Sequence, residues 1–174
     1  MTIEMPLWHE AAAFAARAHR YDVQKDGVTP YVAHPMRVAL RVATLFNVTD
    51  ETILTAALLH DVIEDCDCDY EDVAKPFGED VAQLVRLLSK DMRLPEAERE
   101  AQYDRQLAEG PWQARLIKLA DVYDNMSTRP VGVDVNSLLR KARRALDLAK
   151  DDAPLAEPRR IVQQVADELE GSEV

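Results

Sequence analysis

Cysteine is nearly absent: Cys66 and Cys68 are the only two, and they stand too close together for an ordinary structural disulfide. That excludes a disulfide-stapled secreted fold and favours a reducing cytoplasm. Glycine is scarce as well, with five in 174 residues. No stretch alternates apolar and polar residues for long, which leaves little material for a sheet. No uninterrupted apolar run approaches the ~18 residues of a membrane span. The opening MTIEMPLWHE lacks the basic-then-apolar order of a signal peptide. Without such a signal the sequons at Asn47-Val-Thr and Asn125-Met-Ser carry no meaning. Positive charge is short too: 21 Lys and Arg against 32 Asp and Glu give a net charge of -11. Nonspecific attraction to nucleic acid or to an anionic membrane is thereby excluded. An anionic ligand would need a local basic patch or a metal ion to overcome that field.

What is present is helix-forming. Apolar residues make up 47% and charged residues 30%, with Ala, Leu, Glu and Arg plentiful. Helical spacing predicts a first helix from about Pro6 to Arg20, with Trp8, Ala11, Ala12, Ala15 and Ala18 along one face. The stretch YDVQKDGVTPYVA reads as loop. Pro35 is expected to open a second helix, with Asn47 as its stop. Thr49 and Asp50 can cap a third, ETILTAALLHDVIEDC, read as continuous and apolar almost all round until His60. A short helix from Tyr70 to Pro76, then DVAQLVRLLSK, RLPEAEREAQYDRQLAEG closed by Gly110, and PWQARLIKLADVYDNM follow. After a TRPVGV loop come VNSLLRKARRALDLAK and EPRRIVQQVADELE. The expectation is an all-α fold, a single helical domain over residues 1–174 with about eight or nine helices.

The chemistry is concentrated where polar groups interrupt apolar runs. His60, Asp61, Glu64 and Asp65 leave the end of the buried third helix together, with His60 and Glu64 one turn apart, as are Asp61 and Asp65. Four ionisable groups in such a place are costly unless a divalent cation compensates them, or unless the helix end simply reaches solvent. His34, next to Pro35, and Asp121, inside the apolar run LIKLADVY, add two more ligand types in unusual positions. Two histidines and two carboxylates suit Mn²⁺ or Fe²⁺ and tolerate Mg²⁺ or Zn²⁺; without thiolates they are not a structural zinc site.

YVAHP, ALLHDVIED and KLADVYDNM, with AARAHR, QKDGVTPYVAHP and the Phe77-Gly78 turn, resemble the HD superfamily. More narrowly they resemble the hydrolase domain of RelA/SpoT-type alarmone enzymes. Their order and spacing, from about Phe14 to Asn125, fit the small stand-alone alarmone hydrolases, the group of the metazoan SpoT homologue. The resemblance implies one Mn²⁺ held by His34, His60, Asp61 and Asp121. It also implies that Glu64 and Asp65 activate the attacking water, which agrees with a carboxylate accepting a proton beside a metal. It puts Asn125 on the ribose or its phosphates, where the alternative reading is a helix C-cap before Pro130. Lys25 corresponds to a lysine along the nucleobase. Lys118, one turn before Asp121, either contacts a phosphate or neutralises the carboxylates. Lys141 lies near the position of a phosphate-contacting arginine, in the basic run Arg140, Lys141, Arg143, Arg144.

Several positions depart from that pattern. Gln24, counted among the substrate-binding residues, stands where an arginine normally precedes Lys25. Glu96 replaces a phosphate-facing lysine. Val122 and Asp124 replace a basic and a His/Tyr residue, and Ala145 stands where an aromatic contact is expected. All are expected to bear on substrate choice and none on the metal. Cys66 and Cys68 replace threonines; a C-x-C pair can bind a soft metal, but with no other thiol they read as incidental. The expected activity is Mn²⁺-dependent removal of the 3′-pyrophosphate of ppGpp or pppGpp, giving GDP or GTP. The alternatives are hydrolysis of another nucleotide, such as the 2′-phosphate of NADPH, and a metal-stabilised nucleotide-binding module with little turnover. The length leaves no room for a synthetase domain, and the oligomeric state is not legible.

Overall fold

The computed structural model describes residues 5–129 and 132–171; residues 130 and 131 of the expected TRPVGV loop fall outside them. The first helix, α1, is Leu7–Ala18, followed by α2 at Ala33–Thr44 and α3 at Glu51–Leu59. A single-turn α4, Val62–Asp65, precedes α5 (Tyr70–Phe77), α6 (Glu79–Leu88) and α7 (Glu96–Glu109). The long α8 is Trp112–Thr128, α9 is Val135–Leu148, and a 3-10 turn at Ala153–Leu155 leads into α10, Ala156–Gly171. Among the described residues there is no strand, only a bridge between Val23 and Pro30. The fold class is all-α.

The caps explain most boundaries. Asp50 accepts the Ile53 N–H at 2.9 Å at the start of α3, and Asp69 and Asp72 form a reciprocal capping box on α5. Gly78, at φ +88°, separates α5 from α6 in a conformation open to glycine at little cost. Asn47 takes φ +57° beyond the end of α2, the left-handed position that asparagine tolerates.

α3 is the central post: α1, α2 and α6 pack on it, while α8 packs on α2, α9 and α10. Ala11 and Ala15 let α1 approach closely, whereas Trp8, expected on the same face, is 42% exposed. Leu59, Leu116, Ile117 and Leu119 are fully buried between these layers. Truncating any one to alanine costs about 2–5 kcal/mol.

Two expectations are corrected. α2 begins at Ala33, not Pro35, so His34 lies inside its first turn. The third helix is not continuous: it ends at Leu59, and Asp61 swings to φ −101°, ψ −7° before α4 resumes. The cause is local. The Ala57 carbonyl, which an unbroken helix would offer to the Asp61 N–H, instead pairs with His60 Nδ1 at 2.9 Å.

Candidate metal centre and cavity

The break solves a geometric problem. Consecutive residues of a continuous helix point about 100° apart; with the kink, His60 Nε2 and Asp61 Oδ1 come within 3.1 Å. From the first turn of α2, His34 Nε2 lies 3.2 Å from Asp121 Oδ1 on α8 and 3.6 Å from Asp61 Oδ2. His34, His60 and Asp121 each bring one ligand atom within 4.8 Å of the others. Asp61 borders this trio, and its Oδ2 also accepts the Tyr31 hydroxyl at 2.8 Å.

Both imidazoles have the Nδ1 engaged and the Nε2 turned inward. His34 Nδ1 meets Asp124 Oδ2 at 2.9 Å, and His60 Nδ1 is held by the Ala57 carbonyl. His60 Nε2 is buried and has no hydrogen-bond partner. An orphaned buried nitrogen facing two carboxylates is what a cation site requires, so the residues fit a divalent cation. The field says the same. Burial pushes the His34 imidazolium down, but hydrogen bonds to Asp121 and Asp124 outweigh it and lift its pKa to about 10. Burial pushes Asp121 up, yet Lys118 and His34 hold its carboxyl well below the usual range.

Glu64 and Asp65 line the same cavity. Glu64 Oε2 accepts the Lys90 backbone N–H at 2.7 Å. Burial and the Asp61 charge raise both carboxyls above their ordinary values, which makes each a stronger base than a solvated carboxylate.

The cavity measures about 520 Å³, and all the candidate residues from the sequence line it: the four ligands, Glu64, Asp65, Gln24, Lys25, Lys118, Asn125 and Lys141. That volume lies within the ~300–1,000 Å³ of ordinary ligand sites. Of the two readings of Lys118, the structure shows the carboxylate one: Nζ pairs with Asp121 Oδ2 at 2.6 Å. Asn125 is no helix cap, since α8 continues to Thr128; its Nδ2 donates to Asp121 Oδ1 at 2.7 Å. Gln24 and Lys25 sit on the bridged loop, where Gln24 N–H bonds Thr29 at 2.8 Å, and Gln24 Nε2 is buried without a partner.

Of three departures from the family pattern, two look different in three dimensions. Glu96 is exposed and outside the cavity lining. Ala145 does line it. Asp124 does not face a substrate: it is fully buried, and besides His34 it receives Arg37 Nε at 2.9 Å and Arg41 Nη2 at 2.8 Å. The expectation that it has no bearing on the ligand set is therefore corrected. The signal was available, because residues 34, 37 and 41 share one face of α2 and Asp124 follows Asp121 by three. At the far end the sequence pointed to Lys141 and its basic run but not to Lys90, Glu100, Tyr103 and Asp104. There Lys90 pairs with Glu100 at 2.6 Å, Arg144 with Glu100 at 2.6 Å and with Asp104 at 2.5 Å. Lys90 and Lys118 also stand 5.1 and 5.5 Å from the Tyr103 ring centre. Lys141 joins them, its ammonium pushed down by burial and by those two lysines. One end of the cavity thus suits a cation and the other an anion.

Comparison with known proteins identifies the family and the fold. The HD domain family matches residues 11–147. The Drosophila melanogaster guanosine-3′,5′-bis(diphosphate) 3′-pyrophosphohydrolase MESH1 is 44% identical over 118 residues, 67% of this chain and 66% of that protein. The Homo sapiens MESH1 is 42% identical over the same shares of each chain. The chain thus spans about two thirds of the length of these two relatives. A solved structure, that of a metazoan ortholog of SpoT described as hydrolysing ppGpp, superposes with a TM-score of 0.84 at 32% identity, covering 97% of this chain and 98% of that one.

Proposed function

Because the chain belongs to the HD-domain family, we propose that its cavity hydrolyses guanosine tetra- or pentaphosphate, releasing the 3′-pyrophosphate and leaving GDP or GTP. His34, His60, Asp61 and Asp121 would hold one divalent cation. Mn²⁺ leads and Fe²⁺, Mg²⁺ and Zn²⁺ remain compatible with an N/O ligand set. The observation that supports this most is the inward, buried His60 Nε2, which makes no hydrogen bond although Asp61 Oδ1 stands 3.1 Å away. When bound, the cation supplies a Lewis acid that polarises a phosphate oxygen and lowers the pKa of water.

The rest is the work of side chains. Glu64 and Asp65, their basicity raised by burial, take the proton of the attacking water on a carboxylate oxygen. Asn125 has its amide N–H committed to Asp121, so its Oδ1 is the free atom. An acceptor suits a ribose hydroxyl and not a phosphate, which narrows the two roles considered for it. Lys90 and Lys141 at the far end suit the charge of the polyphosphate, while Lys118 stays on Asp121. Gln24 and Lys25 flank the base, where the buried Gln24 Nε2 offers a donor.

A second reading, hydrolysis of another nucleotide such as the 2′-phosphate of NADPH, keeps the support of Gln24 but loses that of Glu96, which is outside the cavity lining. A binding module with little turnover is disfavoured by two strengthened carboxylate bases beside the ligand set. The test is product analysis by anion-exchange chromatography with added Mn²⁺ across ppGpp, pppGpp and NADPH. GDP, GTP and pyrophosphate are expected. Absence of ppGpp turnover, together with cleavage of another nucleotide, overturns the alarmone assignment.

A further inference from the structure

Outside the cavity, three chemically different metal-ligand groups converge. His19 Nδ1 is 3.1 Å from Asp22 Oδ2. Cys66 Sγ is 3.2 Å from the same nitrogen and 4.0 Å from the same oxygen. They come from three places: the residue after α1, the start of the bridged loop, and the residue after α4. The set resolves the earlier puzzle of Cys66, since its partners are an imidazole and a carboxylate, not another thiol.

We propose that His19, Asp22 and Cys66 form a second cation site, for a borderline-to-soft divalent ion of the zinc class, separate from the HD ligand set. The spacing carries it. Bonds of about 2.0–2.3 Å from a tetrahedral centre set N, O and S ligands about 3.3–3.8 Å apart. The three observed separations, 3.1, 3.2 and 4.0 Å, fall just outside that range, each by about 0.2 Å or less, so small side-chain rotations would seat an ion. Three protein ligands on a half-open surface leave a fourth position for water.

The surroundings favour a cation. Asp65, Asp67 and Asp69 surround Cys66 in sequence. Burial and then the Asp22 charge push the free Cys66 thiol up to about 12. Without a cation the sulfur therefore keeps its proton at neutral pH; with one, the same carboxylates that disfavour thiolate favour the ion that creates it. The two sites are neighbours. The Tyr31 ring lies between them, 4.8 Å from His19 and 5.8 Å from His34 centre to centre.

Cadmium titration of the full chain tests this, because the ultraviolet thiolate-to-cadmium charge-transfer band reports sulfur ligation alone. Wild-type protein is expected to develop the band and to saturate it with one equivalent at the sulfur site. Cys66→Ser should abolish it and Cys68→Ser should keep it. His19→Gln, with the thiol still present, should weaken cadmium binding at least tenfold. His34→Ala should leave the band intact, separating this site from the first. Circular dichroism confirms that each variant folds. A wild-type protein without the band overturns the proposal, and so does a band that requires Cys68 or ignores His19.

Discussion

Replacing Asp124 with asparagine removes one charge and leaves volume and shape nearly unchanged. The carboxylate it removes is buried on α8 and serves three cationic or donor groups: His34, Arg37 and Arg41. Breaking a buried charge cluster at one member costs about 3–5 kcal/mol when the remaining charges are trapped. Arg37 and Arg41 are not fully trapped, since their side chains keep 31% and 23% of their exposure and can turn toward water. About 2–3 kcal/mol is therefore expected. For a domain of this size that lowers the melting temperature by roughly 5–10 °C. A pH series gives an internal check. Burial would raise the Asp124 carboxyl, but the hydrogen bonds from His34 and Arg37 outweigh it and hold the pKa at about 2. A depressed carboxylate contributes stability that is complete above its unfolded value of about 4 and lost as pH falls toward 2. The gap between wild type and Asp124→Asn should thus be widest between about pH 4 and 6.5, close below about pH 4, and narrow again toward about pH 10, because Asp124 also helps keep the His34 imidazolium protonated. The same variant loosens His34, so affinity for the divalent cation should fall by about 10–100-fold. Urea unfolding of the metal-free proteins measures the first effect and isothermal titration with Mn²⁺ the second. Equal unfolding midpoints together with equal Mn²⁺ affinity would refute the account of Asp124.

Asp61→Ala should lose both bound metal and activity, and metal addition should no longer raise the melting temperature, since the ion binds only the folded state; undiminished metal by elemental analysis would sink the ligand assignment. Glu64→Gln keeps size and removes a base, so metal content should persist while kcat falls by roughly a hundredfold or more; wild-type kcat in this variant would pass the proton to Asp65 alone. Gln24→Arg should lower KM for ppGpp by restoring a cation and a planar stacking surface at the cavity, whereas Glu96→Lys, away from the lining, should change kcat/KM by less than about twofold at physiological salt. Steady-state kinetics on both variants separates those outcomes, and a larger effect at Glu96 than at Gln24 would reverse the present view of the cavity.

Helix phase made most of this fold legible. The apolar runs around Leu59 and Leu116 announce buried helices, and the caps at Asp50 and Gly110 stand where sequence rules expect them. The candidate ligands were legible for the complementary reason: a histidine or aspartate inside an apolar run has to be explained. What escaped is three-dimensional. Whether His60 ends a helix or lies within one depends on a side chain competing for the Ala57 carbonyl, which no periodicity reveals. Asp124 read as a substrate contact because its neighbours on α2 are more than eighty residues away in sequence. The pairing of Glu100 and Asp104 with Arg144 joins α7 to α9; each residue alone looks like a solvated surface charge. Cys66 and Cys68 read as incidental because no thiol beyond the pair is available, and nothing in the sequence shows that the fold brings His19 and Asp22 to Cys66.

The Tyr31 hydroxyl, set on Asp61, does more than satisfy an oxygen. It joins the end of the bridged loop, where the Tyr31 N–H itself bonds the Asp22 carbonyl at 2.8 Å, to the rim of the candidate metal centre. Thermodynamic reciprocity then applies: whatever steadies Asp61 steadies the loop, and whatever orders the loop sharpens the centre by the same factor. Cation binding and base recognition would in this way share one mechanical element with no change of overall shape. The signature is kinetic and local. Amide exchange at Gln24, whose N–H closes the loop onto Thr29, should slow when the divalent ion is added, and Tyr31→Phe should abolish that slowing while leaving the metal ligands in place.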